Sequence, residues 1–207
     1  MIKIVDYGVG NIQAFSNLFK RLGIPAERAR SKEDISNATK LVLPGVGHFD
    51  HAMTKLNQSG MREALDNKVL HHKTPIIGIC VGMQMLATGS EEGHLEGLNW
   101  IPGKVKAFNK INKLDLPLPH MGWNTVKPES KSKLFQNGFE DSAEFYFLHS
   151  FYFDANEKKD VSARASYGIE FEAAVSRENI HGVQCHPEKS HHWGASLMRN
   201  FSLINSC

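Results

Sequence analysis

Apolar and polar positions follow two alternating patterns in the first half of the chain. Short apolar runs predict buried strands at residues 2–5, 41–43 and 76–79, and residues 27–30 are a further candidate strand. Between them, apolar residues at helical spacing predict helices over residues 12–22, 51–70 with a break near Gly60, and 83–87. Ser31 and Asp34 form a capping-box pattern that begins one more short helix. This alternation predicts right-handed crossovers and a parallel sheet covered on both faces.

The second half of the chain changes character. Residues 93–133 hold many Gly, Pro and Asn residues between short apolar runs, which is typical of hairpins. Further strands are predicted at residues 145–148, 173–175 and 180–185, and a final helix at 194–203. We therefore expect an α/β fold with a three-layer, open, mostly parallel sheet and a small secondary sheet. No internal repeat or long linker interrupts the chain, so residues 1–207 are expected to form one domain.

Composition narrows the class of protein. Of the 207 residues, 41% are hydrophobic and 22% are charged, which suits one globular domain with a sizeable core. The formal net charge is +2 without a long basic run, so nucleic acid is not an expected partner. The chain starts directly with a strand and has no apolar run near ~20 residues. We expect a cytoplasmic protein without a signal peptide or membrane contact.

Cysteine usage agrees with that compartment. Cys80, Cys185 and Cys207 form neither a close pair nor a C-x-x-C motif. An odd number of scattered thiols argues against a disulfide framework, and the missing motif argues against a zinc ribbon. We expect no metal and no cofactor.

Cys80 stands at the most informative point of the sequence. It follows an apolar run, lies between Gly78 and Gly82, and precedes a helical pattern. A cysteine at a sharp strand-to-helix turn is the thiol form of a nucleophile elbow, in which glycines relieve crowding of the backbone. A helix that directs its amino terminus at the sulfur would favour the thiolate. The competing interpretation is a buried structural cysteine, a common fate of a lone thiol.

His186 and Glu188 are the candidate partners of Cys80. They follow directly after a predicted strand, with Pro187 fixing the bend between them. A nucleophilic thiol needs a base, and the base needs a carboxylate that orients it. A solvated His-Pro-Glu turn is the alternative. The position at the carboxyl end of a strand, far from Cys80 in sequence, favours the catalytic interpretation.

The turn at residues 44–47 ends a third buried strand. Backbone N–H groups of Val46 and Gly47 could point at a developing oxyanion, together with the N–H of Val81 beside the nucleophile. A plain turn is the alternative. A phosphate loop is disfavoured because no Gly-Lys-Ser/Thr follows, and the turn at residues 8–10 lacks the third glycine of a dinucleotide site.

These residues together resemble a known family. Gly78-Ile79-Cys80-Val81-Gly82-Met83-Gln84, with His186-Pro187-Glu188, is similar to the class I glutamine amidotransferases, which are Cys–His–Glu glutaminases of flavodoxin-like fold. Further blocks resemble the glutaminase subunits of imidazole glycerol phosphate synthases. They lie at residues 6–11, 44–49, 119–124, 147–150 and 186–190. The blocks follow the family's order and span nearly the whole chain.

The resemblance implies a mechanism. Cys80 would attack the carboxamide of L-glutamine, His186 would protonate the departing ammonia and later activate water, and Glu188 would orient His186. The expected oxyanion and substrate-binding residues are Val46, Gly47, Val81, Gln84, Glu92, His149 and Ser150. Glu91 remains an alternative to Glu92 as the acid that pairs with the substrate ammonium group.

The resemblance also implies a partner. In these enzymes a (β/α)8 synthase subunit forms a heterodimer with the glutaminase, and a channel delivers the ammonia to it for histidine biosynthesis. The residues that match positions at or near that interface are Asn11, Met121, Trp123, Tyr146 and Lys189. Met121 and Trp123 suit an interface, but ordinary core positions are an equal alternative for both.

Departures from the family pattern keep other functions open. Val81 replaces the usual leucine, Cys185 replaces a common phenylalanine, and His191-His192-Trp193 follows Ser190. The last segment resembles a paralogous branch that supplies ammonia to amidotransferases of surface-polysaccharide sugars. A binding or regulatory protein with an inactive site is a further alternative. A ThiJ-type peptidase or chaperone also carries an elbow cysteine, but it would leave the block at residues 120–123 unexplained.

Overall fold

The computed structural model describes residues 1–110, 116–139 and 143–205, and Cys207 lies outside these ranges. The strands are β1 (Ile2–Val5), β2 (Ala26–Ala29), β3 (Lys40–Gly45), β4 (Ile76–Cys80), β5 (Gly103–Ala107), β6 (His120–Pro128), β7 (Ala143–His149), β8 (Phe151–Ala155), β9 (Val161–Tyr167), β10 (Ile169–Arg177) and β11 (Ile180–Val183). The α-helices are α1 (Ile12–Leu22), α2 (Lys32–Ser36), α3 (Phe49–Gln58), α4 (Arg62–Asp66), α5 (Val81–Gln84) and α6 (His191–Leu203).

The parallel half of the sheet has the strand order β2-β1-β3-β4-β11. Every residue of β1, β4 and β11 is buried, which requires cover on both faces of the sheet. Helix α1 packs against α6, and α2 packs against α4. The predicted parallel arrangement is confirmed, and the carboxyl ends of β3, β4 and β11 meet at one edge.

The antiparallel half continues from β11 through β10, β9, β6 and β7, while β8 pairs with β10 and β5. The smaller sheet expected from the hairpin-rich segment is therefore joined edge to edge to the parallel half. The fold class is confirmed as a mixed sheet with helices. Strands β5, β6, β8 and β9 were not predicted individually.

The ends of helix α1 are determined by capping residues in its local sequence. Asn11 caps its amino end by accepting the Ala14 N–H at 3.4 Å, and Gly23 ends it at φ 68°. Its buried residues are Ile12, Phe15, Leu18 and Phe19. The capping box of α2 is present as predicted, with Ser31 and Asp34 exchanging hydrogen bonds.

Three helix predictions were wrong in extent. The helix expected over residues 51–70 begins two residues earlier, at Phe49, and its last part is a π-turn at Asn67–His71. The predicted break near Gly60 is confirmed, with Gly60 at φ 73° between α3 and α4. The helix expected over residues 83–87 is the single turn α5, because N–H groups of residues 98–101 bind the carbonyls of residues 85–87. Helix α6 begins at His191, three residues earlier than expected. Among the described residues, no helix is both long and apolar enough to cross a bilayer.

Candidate active site

Cys80 occupies a strained turn between β4 and α5. Its backbone lies at φ 55° and ψ −112°, outside the regions that a residue with a Cβ normally adopts. The turn brings three backbone segments together, so a Cβ on Gly82 would collide with the Leu43 carbonyl, and one on Gly78 would collide with the backbone of Gly82. The elbow is confirmed, and the glycines beside it are required by this close approach.

The thiol is buried, with 4% of Cys80 exposed, and it donates to the Leu148 carbonyl at an Sγ–O distance of 3.9 Å. Because α5 has only one turn, its dipole is a smaller electrostatic contribution than the expected longer helix would provide. The polar groups in contact with the sulfur are the Leu148 carbonyl, the Gln184 amide and the His186 ring.

His186 and Glu188 form a buried pair. His186 Nδ1 lies 2.9 Å from Glu188 Oε1, and the pair occupies the turn that links β11 to α6. The His186 N–H donates to the Tyr146 carbonyl of β7 at 2.8 Å, which fixes the start of this turn. Strand β11 pairs in parallel with β4, with Val183 opposite Ile79, so the base emerges beside the nucleophile.

The environment of His186 favours its charged form. Burial acts to lower the pKa of His186, but hydrogen bonds to Cys80 and Glu188 and the negative charges of both groups outweigh burial and raise the pKa to about 10. An imidazolium held between a thiol and a carboxylate can stabilise the thiolate and supply a proton to a leaving group.

One cavity of about 390 Å³ contains Cys80 and His186. Its other lining residues are Val46, Gly47, Val81, Gln84, Glu92, Pro119, Leu148, His149, Ser150, Phe151 and Lys189. Every predicted oxyanion or substrate-binding residue is in this lining. Glu188 is absent from it because the carboxylate lies behind the histidine ring. A cavity with a thiol, a charged base and one carboxylate suits a small zwitterionic amide.

Glu92 and Glu91 point to different places. Glu92 lines the cavity and accepts the Phe49 N–H at the amino end of α3, with Oε2 2.8 Å from the nitrogen. Glu91 accepts the Ala107 N–H at 2.9 Å and pairs with Lys110 at 3.4 Å. The Ala107 hydrogen bond lowers the pKa of Glu91. Glu92 is thus the carboxylate available to a ligand.

The residues matched to the family's interface lie around this cavity but mostly outside it. Met121 is 66% exposed and Trp123 is 46% exposed, so the core alternative is excluded for both. Lys189 lines the cavity, and its Nζ lies 5.5 Å from the centre of the Tyr146 ring. Asn11 is exposed at the start of α1. Together with exposed Val46 and Leu148 at the cavity, they define what we call the docking face.

Two polar residues near the sulfur were not predicted. Gln184 is fully buried, and its Nε2 donates to Cys80 Sγ at 3.7 Å. Tyr7 donates its hydroxyl to the Pro44 carbonyl at 2.7 Å and so fixes the end of β3. Burial, and then the adjacent Cys80 sulfur, raise the pKa of Tyr7. The signal for Gln184 was its position two residues before His186, which places it beside β4.

The departures from the family pattern lie in two environments. Cys185 is 2% exposed, and burial, followed by the charges of Glu188 and Cys80, raises the pKa of its thiol. His191 stacks on Trp123 at the docking face, with ring centres 5.2 Å apart and planes 8° apart. Trp193 packs against Phe139, with ring centres 5.8 Å apart.

Comparison with known proteins agrees with this geometry. The model of the family "Glutamine amidotransferase class-I" matches residues 3–204. The chain belongs to the class I glutamine amidotransferases. Within this family it is 57% identical over 205 residues to "Imidazole glycerol phosphate synthase subunit HisH" of Bdellovibrio bacteriovorus, covering 99% of this chain and 100% of the relative. It is 48% identical to the protein of the same description from Leptospira borgpetersenii, with the same coverage.

Solved structures show that this amidotransferase shares its fold with more distant proteins. A glutamine amidotransferase crystal structure superposes with a TM-score of 0.72 at 19% identity, covering 97% of this chain and 96% of the other. The structure of PurLQS from Thermotoga maritima gives a TM-score of 0.74 at 16% identity, with the same coverage. At these identities the likeness establishes the fold alone.

Proposed function

We propose that this chain is the glutaminase subunit of an imidazole glycerol phosphate synthase. It hydrolyses L-glutamine to glutamate and ammonia and delivers the ammonia to a synthase subunit in histidine biosynthesis. The observation that carries the proposal is the convergence of Cys80, His186 and Glu92 in one cavity of a chain 57% identical over its length to a HisH subunit. Neither the thiol and base nor the substrate-sized cavity is disrupted, which argues against an inactive binding protein.

The reaction begins at the sulfur. The Cys80 thiolate attacks the carboxamide carbon, and the carbonyl oxygen becomes an oxyanion facing the Val46–Gly47 turn and the Val81 N–H. His186 gives its proton to the amide nitrogen, the carbon–nitrogen bond breaks, and ammonia leaves a thioester on Cys80. His186 then takes a proton from water, and the hydroxide attacks the thioester carbon. The carbon–sulfur bond breaks, glutamate leaves, and the thiolate and imidazolium are restored.

Glutamine is held by side chains that still have a free hydrogen-bond acceptor for it. Both hydrogens of the Gln84 amide nitrogen are already bound, to Phe151 and Gln184, so its Oε1 is the atom available to a substrate N–H. Glu92 uses Oε2 for the Phe49 N–H and retains Oε1 for the substrate ammonium. The backbone of His149 and Ser150 forms the opposite wall.

The docking face accounts for the partner. Met121, Trp123, Leu148 and Val46 are exposed apolar side chains beside the cavity, and Tyr146 and Lys189 add an aromatic and a charged contact. A (β/α)8 synthase subunit seated here would cover the cavity and receive ammonia before it reaches solvent. Exposed apolar patches rimmed by polar groups are characteristic of such interfaces.

Labelling with an electrophilic glutamine analogue tests the nucleophile. We expect one adduct, on Cys80, in the wild-type chain mixed with its synthase subunit. Cys185→Ser is the matched control, because it removes the second buried thiol among the described residues and should leave labelling intact. An adduct on Cys185, or none on a protein that binds its partner, would contradict the mechanism.

Genetic complementation distinguishes a synthase of histidine biosynthesis from a sugar amidotransferase as the recipient of the ammonia. The chain, expressed in a histidine auxotroph that lacks this subunit, should restore growth, and Cys80→Ser should not. Failure with a well-folded wild-type chain would favour the sugar-amidotransferase alternative raised by His191-His192-Trp193. The HisH descriptions of the two relatives named above favour the histidine pathway.

A further inference from the structure

A line of hydrogen bonds leads from the half-buried Asn124 of β6 toward the cavity. The Asn124 side-chain amide donates to the Ser166 carbonyl at 2.9 Å and to His120 Nε2 at 3.2 Å. His120 Nδ1 lies 2.9 Å from His149 Nε2, and His149 Nδ1 lies 2.8 Å from the Phe151 carbonyl oxygen. The line therefore ends on a carbonyl of the segment that lines the cavity.

A second line leads from the same carbonyl to the nucleophile. Gln84 Nε2 donates to the Phe151 oxygen at 3.2 Å and to Gln184 Oε1 at 3.1 Å. Gln184 Nε2 donates in turn to Cys80 Sγ at 3.7 Å. Joined at Phe151, the two lines form one continuous hydrogen-bond path from β6 to the reacting sulfur. Its members are Asn124, His120, His149, Phe151, Gln84, Gln184 and Cys80.

The two ends of the first line, Asn124 and Phe151, dictate consistent tautomers for both histidine rings. The Asn124 amide nitrogen can only donate, so His120 Nε2 accepts and His120 carries its hydrogen on Nδ1. The Phe151 carbonyl can only accept, so His149 carries its hydrogen on Nδ1 and accepts at Nε2. The His120–His149 contact then has one donor and one acceptor. No contact in the line places two donors or two acceptors face to face.

The surroundings keep both histidines neutral, as the path requires. The His120 ring stacks between Phe147 and Tyr167, with ring centres 5.0 Å and 4.1 Å away. His149 is 6% exposed, and His120 is 3% exposed. The buried contacts of the path resist movement, because each broken contact leaves an unpaired polar group away from water.

The path begins on the strand that carries the docking face. Along β6, His120 is buried, whereas Met121 and Trp123 are exposed, as expected for side chains that alternate across a strand. A movement of β6 that shifts Met121 and Trp123 must also shift His120 and Asn124. Strand β6 pairs with β7 through His120 opposite His149, so the two histidines move with the paired strands.

We propose that the path fixes the position of the Cys80 sulfur relative to β6, with Gln184, His120 and His149 as positioning residues. Gln184 touches the reacting sulfur, whereas His120 and His149 act through other groups. This inference rests on the proposed function, since the residues position the nucleophile of that same site. Contacts alone define a candidate route, and coupling between its ends is the quantity to measure.

Alkylation of Cys80 by iodoacetamide measures the path without glutamine or a partner. Gln184→Met removes the donor to the sulfur, and we expect alkylation at pH 7 to slow about three- to tenfold. His120→Phe keeps the stacked ring but removes both nitrogens, and we expect slowing in the same range although residue 120 contacts neither the sulfur nor the substrate. His181→Phe is the matched control: it changes a buried histidine outside the path, and its alkylation rate should stay within about twofold.

The double variant separates a coupled path from two independent effects. If the path is continuous, adding His120→Phe to Gln184→Met should change the rate little beyond Gln184→Met alone. Independent effects would multiply, and that result would overturn the proposal. A folded His120→Phe protein that is alkylated at the wild-type rate would also overturn it. If His120→Phe does not fold, Asn124→Ala replaces it, because this variant removes the hydrogen bond to His120 at a half-buried position. Alkylation of a folded Asn124→Ala protein at the wild-type rate would also overturn the proposal.

Kinetics with the synthase subunit complete the test. We expect His120→Phe to lower kcat for glutamine hydrolysis about three- to tenfold, with a smaller change in KM, because the substrate contacts themselves remain. A wild-type protein that hydrolyses no glutamine with its partner would contradict the proposed function, while the alkylation result would still decide the path. An active wild type with an unaffected His120→Phe variant would contradict the path alone.

Discussion

The two halves of the sheet contribute different parts of the site. The parallel half supplies the chemistry, because β4 ends in Cys80 and β11 leads into His186 and Glu188. The antiparallel half supplies part of the cavity wall through His149 and Ser150, and it supplies most of the docking face, including Trp123. The groups proposed to react thus lie at the ends of strands buried on both faces, whereas most of the proposed docking face lies on strands with an exposed face. Substitutions in the two halves should therefore affect different measurements.

The largest effect is expected from the nucleophile in the parallel half. Cys80→Ser should lower glutamine hydrolysis by about 10⁴-fold, since a serine in this place lacks the acidity that the histidine relies on. Thermal unfolding should change little, because the side chains are similar in size. Cys185→Ser should keep activity within a few-fold. Substantial hydrolysis by Cys80→Ser would assign the reaction to another group.

The next effect concerns the backbone of the parallel half. Gly82→Ala would drive a Cβ into the Leu43 carbonyl, and we expect the free energy of unfolding to fall by about 3 kcal/mol. Gly89→Ala is the control, since the nearest atom to its Cβ would be the Leu95 oxygen at 3.8 Å. Denaturant unfolding of both variants gives the comparison. Equal stabilities would mean that the elbow is less tightly packed than its geometry indicates.

The docking face should show the opposite pattern, with a loss of binding and no loss of stability. Trp123→Ala should weaken binding of the synthase subunit by about 30-fold, or roughly 2 kcal/mol, as expected for an exposed aromatic anchor. Leu203→Ala removes a 67% exposed apolar side chain from the end of α6 and should leave affinity unchanged. Calorimetric titration measures both. A comparable loss for Leu203→Ala would place the interface elsewhere.

The smallest effect is a pH dependence in the antiparallel half. Burial raises the pKa of Glu172 on β10 to about 7, from an ordinary value near 4.5. The unfolded chain releases this proton more readily, so the contribution of Glu172 to stability is present below about pH 4.5 and is lost as the pH rises through 7. Glu172→Gln should therefore raise Tm relative to the wild type by a degree or two at pH 8 and not at pH 4. An equal difference at both values would rule out titration as the cause.

The same division between the two halves explains which features of the fold and the site could be predicted from the sequence. In the parallel half the signals are local: apolar runs predict β1 and β4, and the glycines around Cys80 predict the elbow. The helix predicted after Cys80 was too long because residues 98–101 bind the carbonyls that would have continued it. That contact is with a distant loop, and no feature of residues 83–87 encodes it.

The antiparallel half depends more heavily on pairing between distant segments. Strands β8 and β9 were not predicted, and their places in the sheet are set by pairing with β5, β6 and β10. Gln184 was missed because its role requires Gln84, which is 100 residues away in sequence. The proposed catalytic residues could be picked out from the sequence because Cys80 ends one strand and His186 and Glu188 come shortly after another, whereas the groups that hold them together could not.

The hydrogen bonding between β4 and β11 determines how the protein should lose its activity. The strand that carries the thiol and the strand that carries the base are neighbours in the middle of the sheet, and β3 and β10 cover their outer edges. Neither strand can detach by local fraying. The amide hydrogens of Ile77 and Gly182 should exchange with solvent only through opening of the whole molecule. Thermal inactivation should then coincide with global unfolding, and a partly opened protein in which the thiol and the base have separated should not accumulate beforehand.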